Sequence, residues 1–218
     1  FMSSDELDRL GLPIDDPRRA TVRLANPLAD TQPFMRTTLL PGLFAAVARN
    51  TSRSQDDLAV FECGAVFWGN DRGAAPMPDV SRRPSQDEIA AVTGNLPDQP
   101  RMVAGLLAGN WVPSGWQGPV EKADWRHAVH LAQTAAATLG LDLGRRATKR
   151  APWHPGRCAE LYVASGDDEV VLGHAGELHP KVVKAFGLPE RACAVEFDLD
   201  AMIAAAPRGG EVAPISPF

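Results

Sequence analysis

The chain is poor in aromatic residues, with one tyrosine and five tryptophans among 218 residues, so each tryptophan has to be located and explained. It has no apolar run near the roughly 20 residues that a membrane-crossing helix needs, which excludes a helical membrane protein as a reading of the sequence. No charged-then-apolar leader opens it, and a soluble, unprocessed chain is expected. Cysteine is scarce. Cys63, Cys158 and Cys193 stand alone in apolar, strand-like runs, with no C-x-x-C pair. An odd count argues against a disulfide scaffold and for a reduced, cytoplasmic setting. Positive charge is not in excess either: 22 Lys and Arg face 27 Asp and Glu. With a net charge of -5, the molecule has no global attraction for phosphate, so any nucleic-acid contact must come from a local basic patch.

What remains is an ordinary globular composition, 44% hydrophobic and 22% charged, in a chain long enough to bury a substantial core. Ser4 can cap a short helix over 5–10 that Gly11 stops, and the DDPRR stretch reads as a linker. TVRLA (21–25) alternates like a strand. LLPGLFAAVARN (39–50) has helical periodicity, and Pro41 places its start at about Leu40. LAVFECGAVF (58–67) reads as a strand with Cys63 buried in it. Residues 69–84 are loop-like, and Ser85 with Glu88 forms a capping box. Residues 101–107 read as a buried strand, and Asp124 caps a helix that runs to Leu139 and stops at Gly140. Three more strands are expected at 159–164, 170–174 and 192–197. SGDDE turns between the first two, and a helix opened by Pro180 and closed by Gly187 lies between the last two. Hairpins and long excursions with interspersed helices predict an α+β fold on a mainly antiparallel sheet.

Four segments in order carry a resemblance: NPLADTQPFMRTTLLPGLFAAVARN (26–50), LAVFECGAVF (58–67), HPGRCAELYV (154–163) and GHAGELHPKVVKAFGL (173–188), the last followed by AVEFDLDAM. Together they resemble the β subunit of bacterial phenylalanyl-tRNA synthetase over most of residues 20–205. The resemblance implies a class II aminoacyl-tRNA synthetase-like antiparallel sheet flanked by helices, a catalytic-like module paired with a catalytic α subunit. It further implies an (αβ)₂ holoenzyme that joins phenylalanine to its tRNA using ATP and magnesium. Residues 1–19 are then the end of a preceding domain and a linker, 20–208 the synthetase-like core, and 209–218, ending PISPF, a linker towards a further domain. On this reading the chain is a piece of something longer.

The expected catalytic parts are missing. Activating an amino acid requires positive charge at the α-phosphate of ATP. Active class II enzymes place an arginine just after the strand comparable to 58–67, where this chain has Trp68. An indole has one donor and cannot hold a phosphate in bidentate fashion. Active enzymes also have a glycine-rich strand that enters an arginine-bearing helix. The comparable VEFDLDAM (195–202) has neither residue, and its three acids would repel triphosphate. The module is therefore expected to be catalytically degenerate, with no catalytic, cofactor-binding or metal-binding residue of its own.

Other candidates have structural readings that outweigh the functional ones. Glu177 and His179 read as a turn and helix start rather than an acid–base pair. His127 and His130 read as a helix face without a third ligand, and HPGR (154–157) as a turn with Arg157 paired to a carboxylate such as Glu160. Arg145, Arg146, Lys149 and Arg150 form the one basic run, a candidate tRNA contact whose plainer reading is a solvated loop. A synthetase fold without catalysis can occupy the place of a second protomer. Leu40, Leu43, Phe44 and Val47 are accordingly the candidate α-subunit interface. The alternatives are a tRNA-contacting module using 145–150, or a vestigial small-molecule pocket at the ancestral active site.

Overall fold

Burial on both faces picks out the centre of the sheet. In the computed structural model, which describes residues 1–70, 73, 75–116, 118–165 and 168–207, the strand β8 (Cys193–Asp198) is buried along almost its whole length. It lies between β2 (Arg101–Ala108) and β7 (Asp168–Leu178). The full order is β1 (Leu58–Ala65), β2, β8, β7, β6 (Trp153–Ser165) and β5 (Gly144–Ala147), with every neighbouring pair antiparallel. β2 and β8 are apolar on both sides because both sides are covered, whereas the edge strand β1 alternates half-buried with exposed residues.

One face is covered by α2 (Leu40–Thr51), by α5 (Pro180–Phe186) and by the chain's beginning with α1 (Asp5–Arg9). In α2, Leu40, Leu43, Phe44 and Val47 recur at helical spacing and point inward. Phe44 meets Phe186 of α5 edge-on, ring centroids 5.0 Å apart. The other face is covered by α4 (Trp125–Thr138) and α6 (Leu199–Ala205). α4 presents Ala128, Ala132 and Ala136, small side chains that let it lie close to the strands. Its start is fixed reciprocally, since the Asp124 carboxylate accepts the Arg126 N–H while His127 Nδ1 accepts the Asp124 N–H. The capping box on Ser85 and Glu88 opens α3 (Gln86–Gly94), which buries none of its own residues. A small ribbon of β3 (Asn110–Val112) and β4 (Glu121–Lys122) and a 3-10 turn at Pro17–Arg19 complete the described elements.

Several expectations are corrected. Residues 21–25 form no strand, only a single bridge from Arg23 to Phe34. β1 stops at Ala65 because the next amides turn elsewhere, Val66 N–H to Pro100 O and Phe67 N–H to Arg36 O. Residues 1–19 are not a linker. Met2, Leu7, Leu10 and Leu12 are buried in the main core, and the Arg18 side chain is buried with them. Residues 144–147 form the edge strand β5 and not a loop. The expected linker 209–218 and the tip of the 165–169 turn, residues 166 and 167, lie outside the described residues.

Candidate functional site

Glycine at position 173 brings the sheet together where the candidate site lies. A Cβ there would run into the Glu196 carbonyl across the β7–β8 pair, so no larger residue fits. The pairing sets His174 of β7 beside Glu196 of β8, on the face that α2 covers. There a cavity of about 350 Å³ opens between the sheet, the segment around Arg18 and the loop carrying Trp68.

Two indoles form its walls with their N–H groups already engaged. Trp68 donates to Thr37 O at 3.1 Å and Trp153 to Ala194 O at 2.9 Å. The Glu196 carboxyl accepts from the Thr38 hydroxyl at 2.8 Å and the Leu39 N–H at 2.7 Å. Burial raises its pKa against the pull of these donors and of Arg18 and Arg36. The His174 imidazole makes no side-chain hydrogen bond among the described residues. Its nearest acid is Glu160 at 3.8 Å, and its ring lies tilted on Trp153 at 5.6 Å. Burial, helped by the charge of Arg150, pushes it down to about 4, so the imidazole is neutral near pH 7. At the rim, Arg18 holds Asp16 with two 2.9 Å hydrogen bonds and donates to Ala151 O at 2.7 Å. Arg150 reaches the same carboxylate only at 3.8 Å and makes no side-chain hydrogen bond among the described residues. These three groups together leave one positive charge.

The other anticipated residues are engaged internally. Leu40, Leu43, Phe44 and Val47 are buried in this chain's own core, and that corrects their assignment to a partner surface: side chains at 0–5% exposure have nothing left to offer one. Arg145 is exposed on β5, and Arg146 is held by Glu160 and Glu169 at 2.7 and 2.6 Å and lies over the Tyr162 ring. Lys149, Lys181 and His179 line a second cleft, which shares Arg150 and Trp153 with this cavity. Arg157 pairs with Glu177 at 2.6 Å, not with Glu160, which Arg146 occupies. His179 caps α5 through the Lys181 N–H. His127 stacks on Trp111 while His130 is exposed. Cys63 is exposed and not buried, because it falls on the uncovered side of β1. Among the described residues no three His, Cys, Asp or Glu side chains gather as metal ligands would.

The acids of β8 and α6 are each engaged within the chain. Glu196 is tied to Thr38 and Leu39, Asp198 caps α6 through the Ala201 N–H, and Asp200 pairs with Arg101. Sequence reasoning named Trp68 and Glu196 here but missed His174, Trp153 and Arg18. A histidine in the apolar strand GHAGEL was a signal for the first, whereas the Arg18–Asp16 clamp left none.

Fold and site thus define an α+β module on a six-stranded antiparallel sheet, with a cavity where its central strands meet the N-terminal segment. Residues 1–199 match the family described as the phenylalanyl tRNA synthetase beta chain CLM domain, and the chain belongs to that family. It is 60% identical over its whole length to a phenylalanine–tRNA ligase beta subunit of Cutibacterium acnes, covering 26% of that protein. The same-named protein of Thermobifida fusca is 51% identical over 94% of this chain and 25% of its own length. That of Mycobacterium leprae is 43% identical over 93% and 24%. The chain therefore spans about a quarter of the curated relatives it matches.

Proposed function

We propose that the chain is a non-catalytic structural module of a phenylalanine–tRNA ligase β subunit. Its sheet is read as a degenerate class II synthetase-like fold that packs against the α subunit. The holoenzyme, an (αβ)₂ assembly in the cytoplasm, would join phenylalanine to its tRNA. ATP and magnesium belong to that holoenzyme and not to this chain. One observation carries the non-catalytic reading. Each group read here at the positions of a nucleotide site has an internal partner: the Trp68 N–H, both Glu196 oxygens, and the carboxylates of Asp198 and Asp200. No step of adenylate chemistry is therefore assigned to these residues.

With the apolar side of α2 turned inward, the contact proposed for the α subunit moves to its outward side, where Gly42, Ala45 and Arg49 are exposed beside the free edge of β1. An obligate interface of this kind buries more than about 2,000 Å² in total. The test mixes the chain with purified α subunit and follows complex formation by analytical ultracentrifugation. A complex that Ala45→Arg abolishes supports the reading. No complex, under conditions where the full-length β subunit binds, overturns it.

A second reading, tRNA contact, is favoured by one arrangement: Lys149, Arg150 and Lys181 line a common cleft of about 580 Å³. It predicts holoenzyme–tRNA affinity whose salt slope falls by about 0.7–0.9 per neutralised contact. An unchanged slope in Lys149→Gln removes Lys149 from the contact.

A further inference from the structure

The cavity beside Trp68 has no role in the non-catalytic reading, yet it is not built like a packing defect. Its volume of about 350 Å³ lies within the roughly 300–1,000 Å³ typical of small-molecule sites. Its walls are two indoles, whose N–H groups are satisfied, together with Met102 and Leu172. Flat apolar surface anchored in this way favours a planar apolar body. Two polar groups face it without a hydrogen bond among the described residues: the neutral imidazole of His174 and the guanidinium of Arg150.

Charge selects the head group. Asp16 is already bound by Arg18, so the Arg150 charge at the rim is not fully offset. An anion there gains a charge-assisted hydrogen bond. An ammonium does not. It would meet either Arg150 or a Glu196 carboxyl whose oxygens are held by Thr38 and Leu39 and whose pKa is raised by burial. A triphosphate is opposed by the presence of only one unengaged cation.

We propose that this cavity is a binding site for a small aromatic monocarboxylate, its ring between Trp68 and Trp153, its carboxylate on Arg150 and a hydrogen bond available from His174. The site is independent of the α-subunit contact proposed above. It differs from an amino-acid or nucleotide site in rejecting an ammonium group and a triphosphate.

Calorimetric titration of the 218-residue chain with phenylacetate tests this, with phenylalanine, benzyl alcohol and ATP run in parallel. The expected result is saturable one-to-one binding of phenylacetate, with the other three compounds binding at least about tenfold more weakly. Arg150→Gln weakens phenylacetate roughly ten- to hundredfold. Val171→Trp, which fills the cavity from an exposed position on its rim, abolishes it. If Val171→Trp loses its cooperative melting transition, Arg150→Gln alone decides. The assignment is overturned if phenylacetate does not saturate, if phenylalanine or benzyl alcohol binds as tightly, or if Arg150→Gln leaves binding unchanged.

Discussion

His174 and Glu196 are neighbours across two strands, and burial moves their protons in opposite senses relative to pH. The unfolded imidazole binds a proton below about pH 6.5, while the folded one holds out to about 4. Between these values the unfolded state carries more protons, so His174 stabilises the fold above pH 6.5 and that contribution is lost as pH falls towards 4. The span corresponds to about 3 kcal/mol. Asp16, Arg18, Arg150 and Glu160 all act on the ring, and Arg150 reinforces the depression while Glu160 opposes it. Glu196 has the reverse sign: its folded pKa is raised, so its contribution is present below 4.5 and is lost as pH rises above that value. Urea melts between pH 4 and 7 separate the two. His174→Gln should flatten the acid-side fall in stability, and Glu196→Gln should gain stability relative to the parent as pH rises above 4.5. Parallel curves for parent and His174→Gln would show that the imidazole does not titrate on unfolding.

At the scale of elements, α2 shows why an apolar helical stripe does not by itself announce an interface. The pattern Leu40, Leu43, Phe44, Val47 states only that one side must leave water; whether a partner or the chain's own sheet covers it is decided by what lies opposite. Here Met102, Ala104 and Phe186 belong to the same core. Phe44→Ala should therefore cost about 3–5 kcal/mol in the isolated chain. Ala45→Lys, one residue away on the exposed side, should stay within about 0.5 kcal/mol. Chemical denaturation of the two variants checks this. Equal, small effects would place α2 outside the core. β5 teaches the complementary lesson. Its GRRA reads as charge alone, yet pairing with β6 makes a strand of it, and Arg146 is clamped between Glu160 and Glu169.

For the molecule as a whole, cover is uneven. α4 shields the sheet on its side from β2 to β6, but Ala59, Phe61 and Cys63 of the edge strand stay exposed, Phe61 by 79%. An apolar residue on an unpaired strand edge invites association. The isolated chain should accordingly self-associate at high concentration, and Phe61→Lys should shift it towards monomer. Sedimentation velocity over a concentration series reads this directly, and an unchanged distribution would exonerate the edge.

The sequence alone determined the family, the antiparallel α+β plan and most element positions, because periodicity, caps and ordered segments are local properties. Ser85, Asp124, Pro180 and Gly187 mark helix ends through bonds and backbone angles that span only a few residues. Only the tertiary structure decided what each side chain faces. It turned α2 inward, put Cys63 in solvent, paired Arg157 with Glu177 and opened a cavity between His174, Trp153 and Arg18. Those outcomes depend on strand order and on contacts between residues far apart in the chain, such as Thr38 with Glu196, 158 positions away. No local pattern carries that information, since burial and electrostatic partnership are set by whatever the fold brings alongside.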